Sequence, residues 1–155
     1  MSESHGRAIV DQMLARDAFS RWLGVELVAL DAQDCTLRMT VREDMVNGFG
    51  VGHGGIVFSL ADSAMAFACN GDGHVTVAVD NSVSYPAPVR VGDVLTVRAV
   101  EQSASARLGF YAATVTNQRG VAVAHFRGTV YRTKRTHQLE CQHAPAHAPP
   151  TAGSK

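Results

Sequence analysis

Residues 47–69 read Asn-Gly-Phe-Gly-Val-Gly-His-Gly-Gly-Ile-Val-Phe-Ser-Leu-Ala-Asp-Ser-Ala-Met-Ala-Phe-Ala-Cys, a glycine-rich loop that runs into an apolar stretch with no Gly or Pro between Gly55 and Gly71. That length predicts one helix of roughly four turns starting at Gly54 or Gly55. A helix apolar on nearly every side is a buried one. At about 15 residues, interrupted by Ser59, Asp62 and Ser63, it falls short of the about 20 apolar residues that span a bilayer. Its burial is therefore in a protein core, and the rest of the chain must wrap it.

One carboxylate, Asp62, lies inside this run, and no Lys or Arg occurs between His53 and Arg90 to pair it locally. Burying an unpaired carboxylate costs several kcal/mol unless its pKa rises or a partner arrives from elsewhere. Asp62 is thus a candidate catalytic residue. At the other end, His53-Gly54-Gly55 leaves the first amides of the helix without intrahelical acceptors. Such an end carries partial positive charge and suits a developing oxyanion. Asp62 follows Gly54 by eight residues, about 12 Å along the axis, whereas reacting groups must approach within about 3–3.5 Å. One chain cannot bring both to a single carbonyl. An antiparallel second copy can, which predicts a two-fold dimer with two shared sites.

Lys plus Arg and Asp plus Glu number 14 each, and this balance argues against nucleic acid as a partner, which favours a markedly basic chain. The N-terminus is polar with no apolar signal-peptide core. Cys35, Cys69 and Cys141 form no CxxC pair, so the expected compartment is a reducing cytoplasm. Cys69 has no cation near it in sequence and reads as a buried, inert thiol. The length fits one domain.

Residues 5–23 carry apolar side chains at helical spacing, with an interruption near Arg16-Asp17 and a stop at Gly24. Trp22 in this segment is expected as a core anchor. From Val25 the period changes to two. Strand patterns cover 25–31, 36–43, 74–85, 93–103, 106–117 and 121–131. In the first pair Leu37, Met39 and Val41 face inward. In 74–85, Val75, Val77, Val79, Asn81, Val83 and Tyr85 share one face. Gly71-Asp72-Gly73 closes the central helix with a left-handed cap. About six strands curling around one long helix make an α+β domain. We divide the chain into an N-terminal helical segment (1–24), a core domain (25–135) and a disordered tail (136–155). The tail holds His137, His143 and His147 without a fixed ligand spacing, so no metal site is expected.

The glycine loop, His-Gly-Gly, the acid-bearing helix and the later strands resemble the hotdog fold. The spacing Asn47-x5-His53-Gly54-Gly55-x6-Asp62 resembles the acyl-CoA thioesterases of the PaaI branch, over roughly residues 10–133. The runs Val-Asp-Asn-Ser-Val-Ser-Tyr (79–85) and Phe-Arg-Gly-Thr-Val (126–130) also fit that family's later strands. The resemblance implies that the Gly54 N–H polarises a thioester carbonyl with Gly55 beside it, and that Asp62 of the facing subunit attacks or activates water. Asn47 would position the water or the acid, and His53 would support the thioester side. Some relatives carry a Ser or Thr where Ala78 stands, with Ser82 or Ser63 as substitutes here. Arg127, Arg132, Lys134 and Arg135 form a basic cluster, and Arg127 is the candidate for the CoA phosphates. The resemblance further implies a dimer of dimers and no cofactor, coenzyme A being part of the substrate. Aryl-acetyl-CoA esters are the leading substrates. A medium-chain acyl-CoA thioesterase is the alternative, followed by a hotdog dehydratase or an acyl-CoA binding module.

Overall fold

The computed structural model describes residues 3–140. Two helices come first, α1 (Glu3–Arg16) and α2 (Ala18–Leu23). The break between them falls where the sequence places it: Asp17 is extended and its carboxylate accepts from the Ser20 N–H, capping α2. Gly24 ends α2 at φ 77°. Ile9, Val10 and Leu23 are buried. Trp22 is not the core anchor expected of it: 46 % of it is exposed. Its ring stacks on Phe19 at 5.8 Å, and the Arg42 guanidinium lies 5.2 Å from it, a surface cluster held by cation–π attraction.

The remaining elements are β1 (Glu26–Leu30), β2 (Asp34–Thr40), α3 (Gly54–Asn70), β3 (His74–Ser84), β4 (Val94–Ala104), β5 (Leu108–Thr116) and β6 (Ala122–Thr136). The strands form one six-stranded sheet in the order β1-β2-β4-β5-β6-β3. Every neighbouring pair is antiparallel. Helix α3 crosses the inner face and meets every strand but β1 closely, which is the α+β hotdog arrangement expected. Val57, Leu60, Ala61, Ala64 and Met65 of α3 are almost wholly buried against Leu37, Met39, Leu95, Val97 and Phe126 of the sheet. Each such Val, Leu or Met contributes about 1.5–3 kcal/mol by leaving water. Phe58, Ser59, Asp62, Ser63 and Ala66 are only partly buried. Their spacing of three and four residues makes one stripe of α3: Ser59, Ser63 and Ala66 turn from the sheet, whereas Phe58 and Asp62, at the stripe's edge, reach Phe126 of β6 and Asn81 of β3.

Strand β3 departs from its sequence pattern. Its pairing with β6 slips between Ala78 and Asp80, so Val79 is the extra residue of a β-bulge. The single face predicted over Val75–Tyr85 is split there. Val77 and Val79 are 47 % and 59 % exposed, on a strand that forms one edge of the sheet. Past the bulge, Asn81 opposes Gly128 and Val83 opposes buried Phe126, facing α3, while Ser82 opposes Arg127 on the outer face.

Two ends also differ. The left-handed turn after α3 sits at Gly73 (φ 92°), whereas Gly71 stays right-handed. Strand β6 runs to Thr136, and the residues behind it, expected as a tail, are tied to α1. Gln12 donates to the Gln138 carbonyl and accepts from the Glu140 N–H, each at 2.9 Å, and Glu140 pairs with Arg16. The rest of the expected tail, 141–155, lies outside the described residues. No helix among the described residues is long and apolar enough to cross a membrane.

Candidate active site

Helix α3 begins at a worked-out N-terminus. His53 is its N-cap, and the ring Nδ1 accepts from the Gly55 N–H at 2.8 Å. The ring proton is therefore on Nε2. This leaves Gly54 as the first amide with no acceptor among the described residues. The Tyr85 hydroxyl, from the end of β3, donates to the Gly54 carbonyl at 2.9 Å. A Cβ at 54 would stand 3.1 Å from that ring, so glycine is what lets the aromatic lie across the helix start. The preceding loop is closed by Asn47, whose side-chain oxygen accepts from the Phe49 N–H at 2.9 Å and whose N–H donates to the Val51 carbonyl. Within one chain Asn47 shapes the loop and does not contact Asp62.

Asp62 lies two turns further along α3, half-buried, with no ion pair among the described residues. Burial pushes its pKa above the usual carboxylate range; a hydrogen bond from Asn81 pulls it down, and the Asp17 carboxylate adds to the rise. The Asn81 amide nitrogen donates to Oδ1 at 2.8 Å. Asp62 opens into a groove of about 440 Å³ between α1 and α3, where Met13, Ala66 and Phe67 supply apolar walls and Arg16 and His137 polar ones. A carboxylate so placed can accept a proton from water or attack an electrophile.

Not every candidate converges on this point. Arg127 lies on the outer face of the sheet, beside a separate hollow of about 420 Å³ that Asp80, Ser82 and Phe110 also line. It does not meet Asp62 within one chain. Ser82 shares that outer face and does not meet Asp62 within one chain. Ser63 is engaged elsewhere: its hydroxyl meets Ser20 Oγ at 2.9 Å, and Ser20 in turn donates to Asp17. Burial pushes the Cys69 thiol up to about 12, so it stays protonated and packs as an inert side chain. His137 is committed to Asn70, Nε2 to Oδ1 at 2.6 Å. His143 and His147 lie outside the described residues, and no cluster of potential metal ligands occurs among those described.

Two residues beside the site were not singled out by the sequence pattern. Asn81 and Tyr85 sit in a valine-rich alternation and read as strand filler. The signal available was one amide among valines, but only the bulge turns it toward α3.

Comparison with known proteins agrees with the fold. The family model described as the thioesterase superfamily matches residues 49–124, which include the end of the glycine loop, α3 and strands β3, β4 and β5. The chain is 37 % identical to the acyl-coenzyme A thioesterase PaaI of Escherichia coli over 120 residues, covering 77 % of this chain and 86 % of that one. It is 30 % identical to human acyl-coenzyme A thioesterase 13, covering 79 % and 91 %. Among solved structures, the E. coli PaaI protein from the phenylacetic acid degradation operon superimposes with a TM-score of 0.84 at 34 % identity, over 86 % of this chain and 97 % of that one.

Proposed function

This chain belongs to the thioesterase superfamily and is an acyl-CoA thioester hydrolase of the PaaI type, and from that premise we propose that it cleaves aryl-acetyl-CoA esters to the free acid and coenzyme A. The observation that carries this reading is the pairing of a half-buried carboxylate, Asp62, with a helix-start amide, Gly54, that has no acceptor among the described residues. The thioester carbonyl is polarised by the Gly54 N–H and the positive end of α3, a contribution of about 3–4 kcal/mol to the barrier for a donor of this kind. Asp62 acts on the carbonyl carbon, directly or through a water from which it takes the proton. The thiolate of coenzyme A leaves, and water supplies the oxygen and protons of the products. No metal or prosthetic group enters the scheme.

Because Gly54 and Asp62 are about 12 Å apart along one helix, each site combines Asp62 of one copy with Gly54 of another. The exposed Val77 and Val79 on the edge strand β3 support a dimer paired there, and we extend this to a dimer of dimers in a cytoplasmic setting. The groove beside Asp62 is of a size that receives small aromatic acyl groups. Within the same scheme His53 holds the helix start, Gly55 and Asn47 shape the loop around the thioester, and Arg127 of a neighbouring copy meets the CoA phosphates.

The test is free-thiol release from a panel of aromatic and aliphatic CoA thioesters with wild-type and Asp62→Ala protein. Preference for phenylacetyl-type esters, abolished in the variant, is expected. Near wild-type turnover by Asp62→Ala overturns the site, and preference for medium-chain esters overturns the substrate.

A further inference from the structure

We propose that Asn81 is the positioning residue of this site: its amide nitrogen fixes Asp62 Oδ1 and leaves Oδ2 as the oxygen that acts. The inference rests on the reading of Asp62 as the catalytic carboxylate.

Three features build the contact. The bulge at Val79 changes the phase of β3 so that Asn81 faces α3 and not the outer surface. Directly across the ladder stands Gly128, where a Cβ would lie 2.8 Å from Asn81 Oδ1 and 2.1 Å from Met65 Sδ; glycine at that position makes the room. Finally, Asn81 Nδ2 reaches Asp62 Oδ1 at 2.8 Å from a half-buried position.

The orientation of the amide follows from its two ends. Asn81 Oδ1 is buried with no hydrogen-bond partner among the described residues, which leaves one acceptor unsatisfied. The flipped amide would leave two N–H groups unsatisfied in the same pocket and set its carbonyl against the Asp62 carboxylate, a worse outcome on both counts. The observed orientation thus suits an ionised Asp62. A donor aimed at the charged form favours that form.

The other groups facing Asp62 do not take over this role. Asp17, at the start of α2, opposes ionisation. Arg16 on α1 is paired with Glu140, and His137 behind β6 is paired with Asn70, although both line the groove. Gln12 is bonded to Gln138 and Glu140. Ser63 is tied to Ser20. Where some relatives carry a strand Ser or Thr, this chain has Ala78, and Asn81 supplies the polar contact from beyond the bulge.

The experiment is the pH profile of kcat/KM in Asn81→Leu and Asn81→Asp, together with the carboxyl titration of Asp62 by NMR in the resting protein. Leu keeps the volume and removes the donor; Asp adds a like charge. In Asn81→Leu the acid limb moves to higher pH, so the loss at the acid end exceeds that on the alkaline plateau by about tenfold, the worth of one hydrogen bond to a charged group. Asn81→Asp moves the limb further. The Asp62 titration moves the same way in both. A loss uniform with pH, or an unmoved Asp62 titration, overturns the role of Asn81. Turnover retained by Asp62→Asn overturns the Asp62 reading instead, so the two failures are distinguishable.

Discussion

Gly128→Ala is a one-methyl change whose cost can be worked from the packing of α3 on the sheet. The added Cβ would stand 2.1 Å from Met65 Sδ and 2.8 Å from Asn81 Oδ1, whereas comfortable heavy-atom contact begins at about 3.5 Å. Met65 must therefore retreat by roughly 1.5 Å, and it is 1 % exposed in a core with little room to give. Overpacking of this kind costs about 1–3 kcal/mol. At roughly 2–4 °C per kcal/mol for a chain of this size, Tm falls by about 2–12 °C. Met65→Ala alone opens a cavity and costs about 2–5 kcal/mol. In the double variant the alanine at 128 moves into that cavity, so the two losses overlap and the double variant is more stable than their sum by about 0.5–3 kcal/mol. Urea unfolding with unchanged m-values is the assay. Additivity within about 0.5 kcal/mol, or a Gly128→Ala protein as stable as wild type, would refute the close approach of α3 and β6.

Other expectations follow from the same contacts. Asp62→Asn should lower kcat/KM by about 10²–10⁴ while raising Tm near neutral pH. The folded pKa of Asp62 lies above its unfolded value of 3.8, so the folded protein loses stability as pH rises from 3.8 through the folded value, and the amide lacks that penalty; a gain that persists unchanged below pH 3.8 would contradict this. His53→Ala removes the ring acceptor from the Gly55 amide and should cost about 0.5–2 kcal/mol, with His53→Asn restoring most of it; equal stability of the two in thermal unfolding would contradict the cap. Burial holds His137 below its ordinary pKa of 6.5. Its contribution is complete above pH 6.5 and lost as pH falls through the lower folded value, so His137→Gln should flatten the acid side of the Tm profile, and parallel profiles would refute it.

Most of the architecture was legible because it rests on periodicity. The run Gly54–Asn70 could only be a buried helix, Asp17 and Gly24 marked the ends of α2, and the alternation at Leu37, Met39 and Val41 gave the inner face of β2. Of the candidate site, the sequence offered two points, Gly54 and Asp62, which helical rise sets too far apart to meet in one chain. What escaped has a physical reason in each case. A bulge adds one residue without altering composition, so the phase of β3 past Val79, and with it Asn81, was hidden. Ser82 fell on the wrong face for the same reason. Trp22 was assigned to the core by size, but Arg42, distant in sequence, offered it a surface partner. Thr136–Glu140 lacks apolar period because Gln12 and Arg16 hold it by polar contacts.

The central claim is that each active site takes its carboxylate from one copy and its polarising amide from another. Gly54→Pro removes that amide while suiting the first position of a helix, His53 before it is already in the extended region that proline requires (φ −64°, ψ 132°), and the added Cβ, 3.1 Å from the ring of exposed Tyr85, asks that ring to shift slightly. Chains carrying Gly54→Pro and chains carrying Asp62→Asn, each inactive alone, should form heterodimers with one site that has both groups intact. Verified heterodimers are predicted to turn over at about half the wild-type rate per dimer; heterodimers as inactive as their parents would contradict shared sites.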